Sequence, residues 1–274
     1  MGAAGSARPA VAADPAATGI STGLVEPVRW AFRVDPAAGG DGRAAACRGA
    51  VDARAGAAVI ETILPAGVAG AELFTDPPEL KPYPGEEGLL SAGAVDKRRR
   101  EFVGARHCAR QALAELGEPP AAILRGERGM PVFPKGVVGS LTHCDGYRAA
   151  ALGHTLAVRS VGIDAEPHGP LPDGVLGEVS LRAEREELAD NSGEWHLDRL
   201  LFCAKEATYK AWFPLTRRWL GFEDALITFD LTAHTFHSEL LVPGGVLDGG
   251  PPLREFHGRW TIRDGLILTA IVVT

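Results

Sequence analysis

Val161-Gly162-Ile163-Asp164-Ala165-Glu166-Pro167 is an apolar run that ends on two acids and a proline. It belongs to the last of three short segments with strand character, residues 137–142, 147–153 and 158–165, which turn residues separate. Upstream, residues 59–64 read as a strand. Residues from about 89 to 116 carry helical spacing, and Gly117 followed by Pro119 and Pro120 is a helix stop. Downstream, residues 174–190 and 195–213 read as helices. Three or four strands follow, over residues 225–231, 236–241, 255–263 and 266–273. The order is β, α, βββ, then αα, ββββ. Helix and strand groups therefore occur twice, which predicts an α+β protein of two lobes joined near residue 160, the first over residues 59–160 and the second over 161–274.

Residues 1–58 differ from the rest, with 19 Ala, 9 Gly and 4 Pro. Such a composition buries little apolar surface per residue ordered and predicts a low-complexity, disordered extension. The alternative is a later translation start near Val59. The whole chain of 274 residues has a net charge of −7, which argues against a general nucleic-acid binder. A local basic pocket for an anionic ligand remains compatible with that charge. No apolar run reaches the roughly 18 residues a bilayer-spanning helix needs, and no basic stretch followed by an apolar core marks a secretory signal. Cys47, Cys108, Cys144 and Cys203 share no C-x-x-C spacing, so the thiols point to a reducing, cytoplasmic compartment.

Three groups of residues could carry chemistry. Asp164 and Glu166 are one pleat apart on a strand and share a face. Two such carboxylates repel unless a cation lies between them, and oxygen-only ligands favour Mg²⁺ over zinc. The alternative is a strand end that meets solvent. In the second group, Leu197, Leu200, Leu201, Ala204, Ala207, Thr208 and Ala211 share one side of a helix, and Lys205, Glu206, Tyr209 and Lys210 the other. Phe202 and Phe213 fall on that second side, so it is expected to line a cleft. Only five lysines occur in the chain, and two of them lie within this short stretch. The alternative is a Glu–Lys pair decorating a solvated helix. The third group, Gly139-Ser140-Leu141-Thr142-His143, could offer hydroxyls and an imidazole to a phosphate, and Arg98 and Arg106 fall on one broad face of the first long helix. A lone structural histidine and a solvated basic helix are the alternatives there.

In this order and spacing, Gly139–His143, Gly162-Ile163-Asp164-Ala165-Glu166 and Ala204-Lys205-Glu206-Ala207-Thr208-Tyr209-Lys210 resemble the 4′-phosphopantetheinyl transferases. The two-lobed type is the nearer match, in the subgroup related to the enterobactin synthase component D; Trp212-Phe213-Pro214-Leu215-Thr216 through Gly221-Phe222-Glu223-Asp224 also resembles that subgroup. The resemblance covers residues 59–274. It implies a pseudo-symmetric fold of two α/β lobes with coenzyme A between them, and a monomer. The implied reaction moves the 4′-phosphopantetheine arm of coenzyme A to a serine of an apo acyl or peptidyl carrier protein. Such carriers serve fatty acid, polyketide and nonribosomal peptide synthases, and the other product is adenosine 3′,5′-bisphosphate.

By the same resemblance, Asp164 and Glu206 are expected to bind magnesium, with Glu166 a third ligand or a neighbouring acid. Glu206, or Glu166 through a water, is the expected base. Lys205 and Lys210 are expected on phosphates, His143 with Ser140 or Thr142 on the 3′-phosphate or pyrophosphate, and Arg98, Arg106 and Arg125 on the nucleotide phosphates. Arg217-Arg218-Trp219-Leu220 is a candidate carrier-docking patch, with Trp219 packing into the core as its alternative. A magnesium-dependent nucleotide hydrolase and a non-catalytic coenzyme A or carrier binder are the competing readings. A hydrolase would release adenosine bisphosphate without a carrier, and a binder would lack a carboxylate or the lysine pair, all of which are present.

Overall fold

A computed structural model describes residues 58–90, 95–191 and 195–274. The expected disorder of residues 1–58 concerns a segment that lies, but for Ala58, outside the described residues.

Strand β1 (Val68–Leu73) precedes the long helix α1 (Asp96–Glu115), and a small two-stranded sheet, β2 (Leu124–Arg125) and β3 (Pro131–Val132), follows it. β4 (Val137–Cys144) and β5 (Tyr147–His154) then complete an antiparallel sheet of order β1-β5-β4. Helix α1 lies on this sheet and buries Cys108, Ala109, Ala112 and Leu113 against Ala71, Ala150 and Leu152. It stops as its sequence dictates: Gly117 takes φ +78, a backbone state that costs glycine little.

The second half opens with β6 (Ser160–Pro167), followed by α2 (Val175–Val179), α3 (Arg182–Asp190) and α4 (Leu197–Thr216). β7 (Ala225–Asp230), β8 (Thr235–Gly244), β9 (Leu253–Arg263) and β10 (Leu266–Val273) join β6 in an antiparallel sheet of order β6-β10-β9-β8-β7. The apolar side of α4 is buried as its spacing predicts, against Ile227, Phe236, Phe256, Trp260, Ile267 and Ile271. α4 comes so close to β6 that a Cβ at Gly162 would stand 2.0 Å from the Ala207 carbonyl oxygen, so only glycine fits there. The mixed α and β halves, each a sheet with one long helix, agree with the expected fold class.

Two local expectations change. Residues 60–63 form a 3₁₀ turn instead of a strand, because the Glu72 carboxylate accepts the backbone N–H groups of Val59 and Ile60 and winds the chain there. The single helix expected over residues 174–190 is two, broken at Ser180 and Leu181, where the backbone is extended.

β4 and β6 lie edge to edge without a backbone ladder. Side chains join them instead: Ile163 N–H donates to Ser140 Oγ and Ala165 N–H to Thr142 Oγ1, both at 3.1 Å. Behind this seam Tyr147, Ala149 and Ala151 share a core with Val161, Ile163 and Leu268. Ser140→Ala leaves the Ile163 N–H buried and unpaired, so we expect a loss of about 1–3 kcal/mol of stability, read by urea unfolding.

Candidate functional site

The seam between β4 and β6 is where Asp164 and Lys210 meet, with Glu166 and Glu206 beside them. Asp164 is buried, and its Oδ1 accepts from Lys210 Nζ at 2.6 Å and Thr142 Oγ1 at 3.1 Å. Lys210 reaches round from α4 and donates also to the Ile163 carbonyl at 3.0 Å, a group that the seam leaves without a ladder partner. The other Asp164 oxygen, Oδ2, is buried with no hydrogen-bond partner. Glu166, one pleat further along, is gripped by Arg199, whose Nη1 lies 2.9 Å from its Oε2. Arg199 also holds the carbonyls of Gly169 and Pro170, so one guanidinium fixes both the acid and the loop after it.

Glu206 faces the same place from α4. Burial pushes its carboxyl pKa up, the charge of Asp164 adds to that, Lys210 opposes it, and Glu166 adds a further push. Glu166 behaves alike: burial raises its pKa, Asp164 raises it further, and Arg199 and Lys210 pull it back. For Lys210 burial works against the charge, but Asp164 and Glu206 outweigh it and keep the ammonium protonated. Three acids thus repel one another around one lysine, and one of them holds an orphaned oxygen. A hard dication relieves both conditions, and an all-oxygen donor set suits Mg²⁺. The residues fit such an ion.

Cations line the adjoining side. His143 keeps 40% of its side chain exposed, with Nδ1 3.7 Å from Glu101 Oε2. Surrounding protein, which partly desolvates the ring, and the charges of Lys210, Arg148, Arg98 and Arg106 push its pKa down. His143 thus feels Lys210 of the acid cluster as well as Arg98 and Arg106 of α1. Arg106 is buried, with its guanidinium 3.5 Å from the centre of the Phe102 ring and Nε donating to the Ile123 carbonyl at 2.8 Å. Burial lowers its pKa to about 10, with Arg125 and Arg110 adding to the fall and Glu86 opposing it. The exposed Arg125 stands 5.9 Å from the same Phe102 ring, and burial and Arg98 lower its pKa. Arg98, Arg106 and Arg125 therefore crowd like charges together, an arrangement an anion would stabilise.

Three expectations need correction. Lys205 does not reach this cleft. It is buried, pairs with Glu184 of α3 at 2.9 Å, and donates to the carbonyls of Phe222 and Ala225. Glu184 was invisible as its partner because the two lie in different helices. Ser140 and Thr142 do not join His143 on one surface: alternation along β4 turns the hydroxyls towards β6 and the imidazole to the opposite face. Phe202 lines no cleft, being packed against Leu171 and Val179. Arg199, which holds Glu166, is a participant that the motifs did not reveal.

Trp219 is 44% exposed, with Arg128 5.8 Å from its ring centre and Tyr209 at 5.1 Å centroid to centroid. Arg217 has φ +55 and donates to Met130 Sδ. Among the described residues, the only three His, Cys, Asp or Glu side chains with donor atoms all within 4.8 Å are His237, Glu255 and His257, elsewhere in the fold. The three acids of the cleft are spread wider than that.

A family model described as the 4′-phosphopantetheinyl transferase N-terminal domain matches residues 86–153. Another, described as the 4′-phosphopantetheinyl transferase superfamily, matches residues 160–245. The chain is 66% identical over 220 residues to the 4′-phosphopantetheinyl transferase Npt of Nocardia iowensis, a span of 78% of this chain and 99% of that protein. It is 58% identical over 224 residues to PptT of Mycobacterium tuberculosis, covering 78% of this chain and 98% of the relative. With Svp of Streptomyces mobaraensis, also a 4′-phosphopantetheinyl transferase, it shares 49% identity over 223 residues, which cover 78% of this chain and 89% of that one.

Proposed function

The chain belongs to the 4′-phosphopantetheinyl transferase family, and from that membership we infer that it moves the 4′-phosphopantetheine arm of coenzyme A onto a serine of an apo carrier protein, leaving adenosine 3′,5′-bisphosphate. The observation that supports the site assignment is the Lys210–Asp164 ion pair, with Glu206 and Glu166 close enough to feel its charges and His143 feeling Lys210 on one side and Arg98 and Arg106 on the other.

The reading gives each group a task. Asp164, Glu206 and Glu166 hold a magnesium ion, which supplies charge neutralisation for the pyrophosphate oxygens when bound. The orphaned Asp164 oxygen and the mutual repulsion of the acids support this assignment. Lys210, charged and already in the cleft, meets the phosphates as a point charge. Arg98 and Arg125 bind the nucleotide phosphates, Arg106 adds positive charge from beneath, and His143 offers a ring nitrogen to the same anion. The serine of the carrier is the nucleophile, so the enzyme needs only a base. Glu206 is that base, or Glu166 through a water; a raised carboxyl pKa favours proton uptake near neutrality.

The finer reading is a two-lobed enzyme, with lobes over residues 59–160 and 161–274, in the subgroup related to the enterobactin synthase component D. The stretch from Trp212 to Asp224, which runs from the last turn of α4 to the start of β7, carries the resemblance to that subgroup. Its carriers are those of fatty acid, polyketide or nonribosomal peptide synthases. Because one chain supplies both the cations and the acids, a monomer suffices. No described helix is long and apolar enough to cross a membrane. The free thiols of Cys108, Cys144 and Cys203 support a reducing, cytoplasmic setting, and the net charge of −7 supports a partner other than nucleic acid.

Intact mass of a panel of apo carriers, after incubation with coenzyme A, magnesium and this protein, tests the reaction. A gain of one phosphopantetheine per carrier is expected; release of adenosine bisphosphate with no carrier gain would instead make it a hydrolase. Lys210→Ala is expected to raise the KM for coenzyme A by about tenfold, the equivalent of one charged contact of about 1.4 kcal/mol. Unchanged kinetics would remove Lys210 from the site.

A further inference from the structure

On the far side of the five-stranded sheet from α4, three side chains converge that the transfer reaction does not use. His237 of β8 pairs directly with His257 of β9 in the strand register, and Glu255 lies one pleat from His257 on the same face. Their neighbours Phe236, Leu240, Phe256 and Trp260 turn inward to the α4 core, so the trio points outward. The Glu255 carboxylate lies between the two rings: Oε2 is 3.1 Å from His237 Nε2, and Oε1 is 3.4 Å from His257 Nε2. The ring centres are 5.1 Å apart.

These spans carry information. Zinc binds imidazole nitrogen and carboxylate oxygen at about 2.0–2.2 Å in a tetrahedron, so two of its ligands stand roughly 3.3 Å apart. The two nitrogen–oxygen spans are close to that length, each to a different oxygen of the one carboxylate, and one donor atom from each residue lies within 4.8 Å of the others, so side-chain rotation suffices to bring one oxygen and both nitrogens onto a single ion. Two imidazoles with one carboxylate select a zinc-class ion over magnesium or calcium, which prefer oxygen alone. Two histidines set opposite one another would repel if both were protonated, whereas neutral rings offer lone pairs to one cation. Glu239, opposite Glu255 in the register, puts a second carboxylate beside the trio.

We propose that His237, Glu255 and His257 form a surface site for one zinc-class divalent ion, clasping β8 to β9 on the face opposite the transfer cleft. The remaining coordination position is open to water. Because α4 and the sheet separate the two places, the ion braces the sheet and takes no part in transfer.

Cobalt(II) reports on such sites, since low-coordinate nitrogen-bound cobalt absorbs visible light far more strongly than the six-coordinate, oxygen-bound ion. The full chain is stripped of metal, saturated with magnesium to fill the acid cleft, and titrated with cobalt(II), then with zinc. One equivalent of visible absorption is expected, displaced by one equivalent of zinc, with a rise in Tm on zinc addition. His237→Ala and His257→Ala should each weaken zinc binding at least tenfold and remove the band, while magnesium-dependent transfer stays at the parent rate. A parent chain without the band, or a band that both variants retain, overturns the proposal and leaves the trio as an ion-pair cluster.

Discussion

Asp164→Asn is expected to abolish phosphopantetheine transfer, by about 10³-fold or more, in a protein that still folds. That size follows from the several kcal/mol that a bound metal contributes to neutralising charge in a phosphoryl-type transition state. Asparagine keeps the volume of the side chain and an oxygen for Thr142 and Lys210, so the seam and the lysine retain their partners. What disappears is the negative charge around which Glu166, Glu206 and Lys210 are poised. Far-ultraviolet circular dichroism and the melting curve establish that the variant is folded, and intact carrier mass reads the transfer. Undiminished magnesium-dependent activity in the Asp164→Asn variant would remove this acid from the metal site.

The second large effect concerns stability. Lys205→Met is expected to lower stability by about 3–5 kcal/mol, because it strips the partner from a carboxylate in a buried ion pair. For a domain of this size that is a fall in Tm of roughly 6–20 °C. The Lys205 and Glu184 side chains are 2% and 1% exposed, so water does not replace what is lost. Glu184 also accepts the N–H groups of Leu181 and Ile227, which makes it the point where α3, α4 and β7 are tied together. The KM for coenzyme A should stay at the parent value at temperatures where the variant is folded. A higher KM with an unchanged melting curve would return Lys205 to the phosphates.

The contrast between Lys205 and Lys210 shows what the sequence made legible. A helical wheel places the Cβ of each residue, and it put both lysines on the side away from the α4 core. A lysine stem has four further rotatable bonds, and where the ammonium ends depends on acids that the wheel does not contain. Lys210 found Asp164, predicted to be near because both belonged to one constellation. Lys205 found Glu184, whose position rests on how α3 packs. Long antiparallel strands with turn residues between them, such as those after residue 225, were readable because alternation and turn chemistry agree. The 3₁₀ turn at residues 60–63 was not, since four apolar residues in six suit a strand and a buried helical turn equally and Glu72 settles the matter through tertiary contact. The opposite orientation of Thr142 and His143 was available from strand alternation alone. Arg199 was not, because nothing in its neighbourhood marks it until the loop after β6 folds back upon it.

Because β4 and β6 meet through two hydroxyls and an apolar wall, the edge of one sheet satisfies backbone N–H groups of the other, and neither sheet owns the whole site. Arg98, Arg106 and Arg125 belong to one sheet unit, and the acids with Lys210 and Arg199 to the other, so the charged groups of the site are divided between two halves. On the proposed assignment, holding an anionic nucleotide beside a dication would therefore be a property of the junction, present only while the two sheets stay in register.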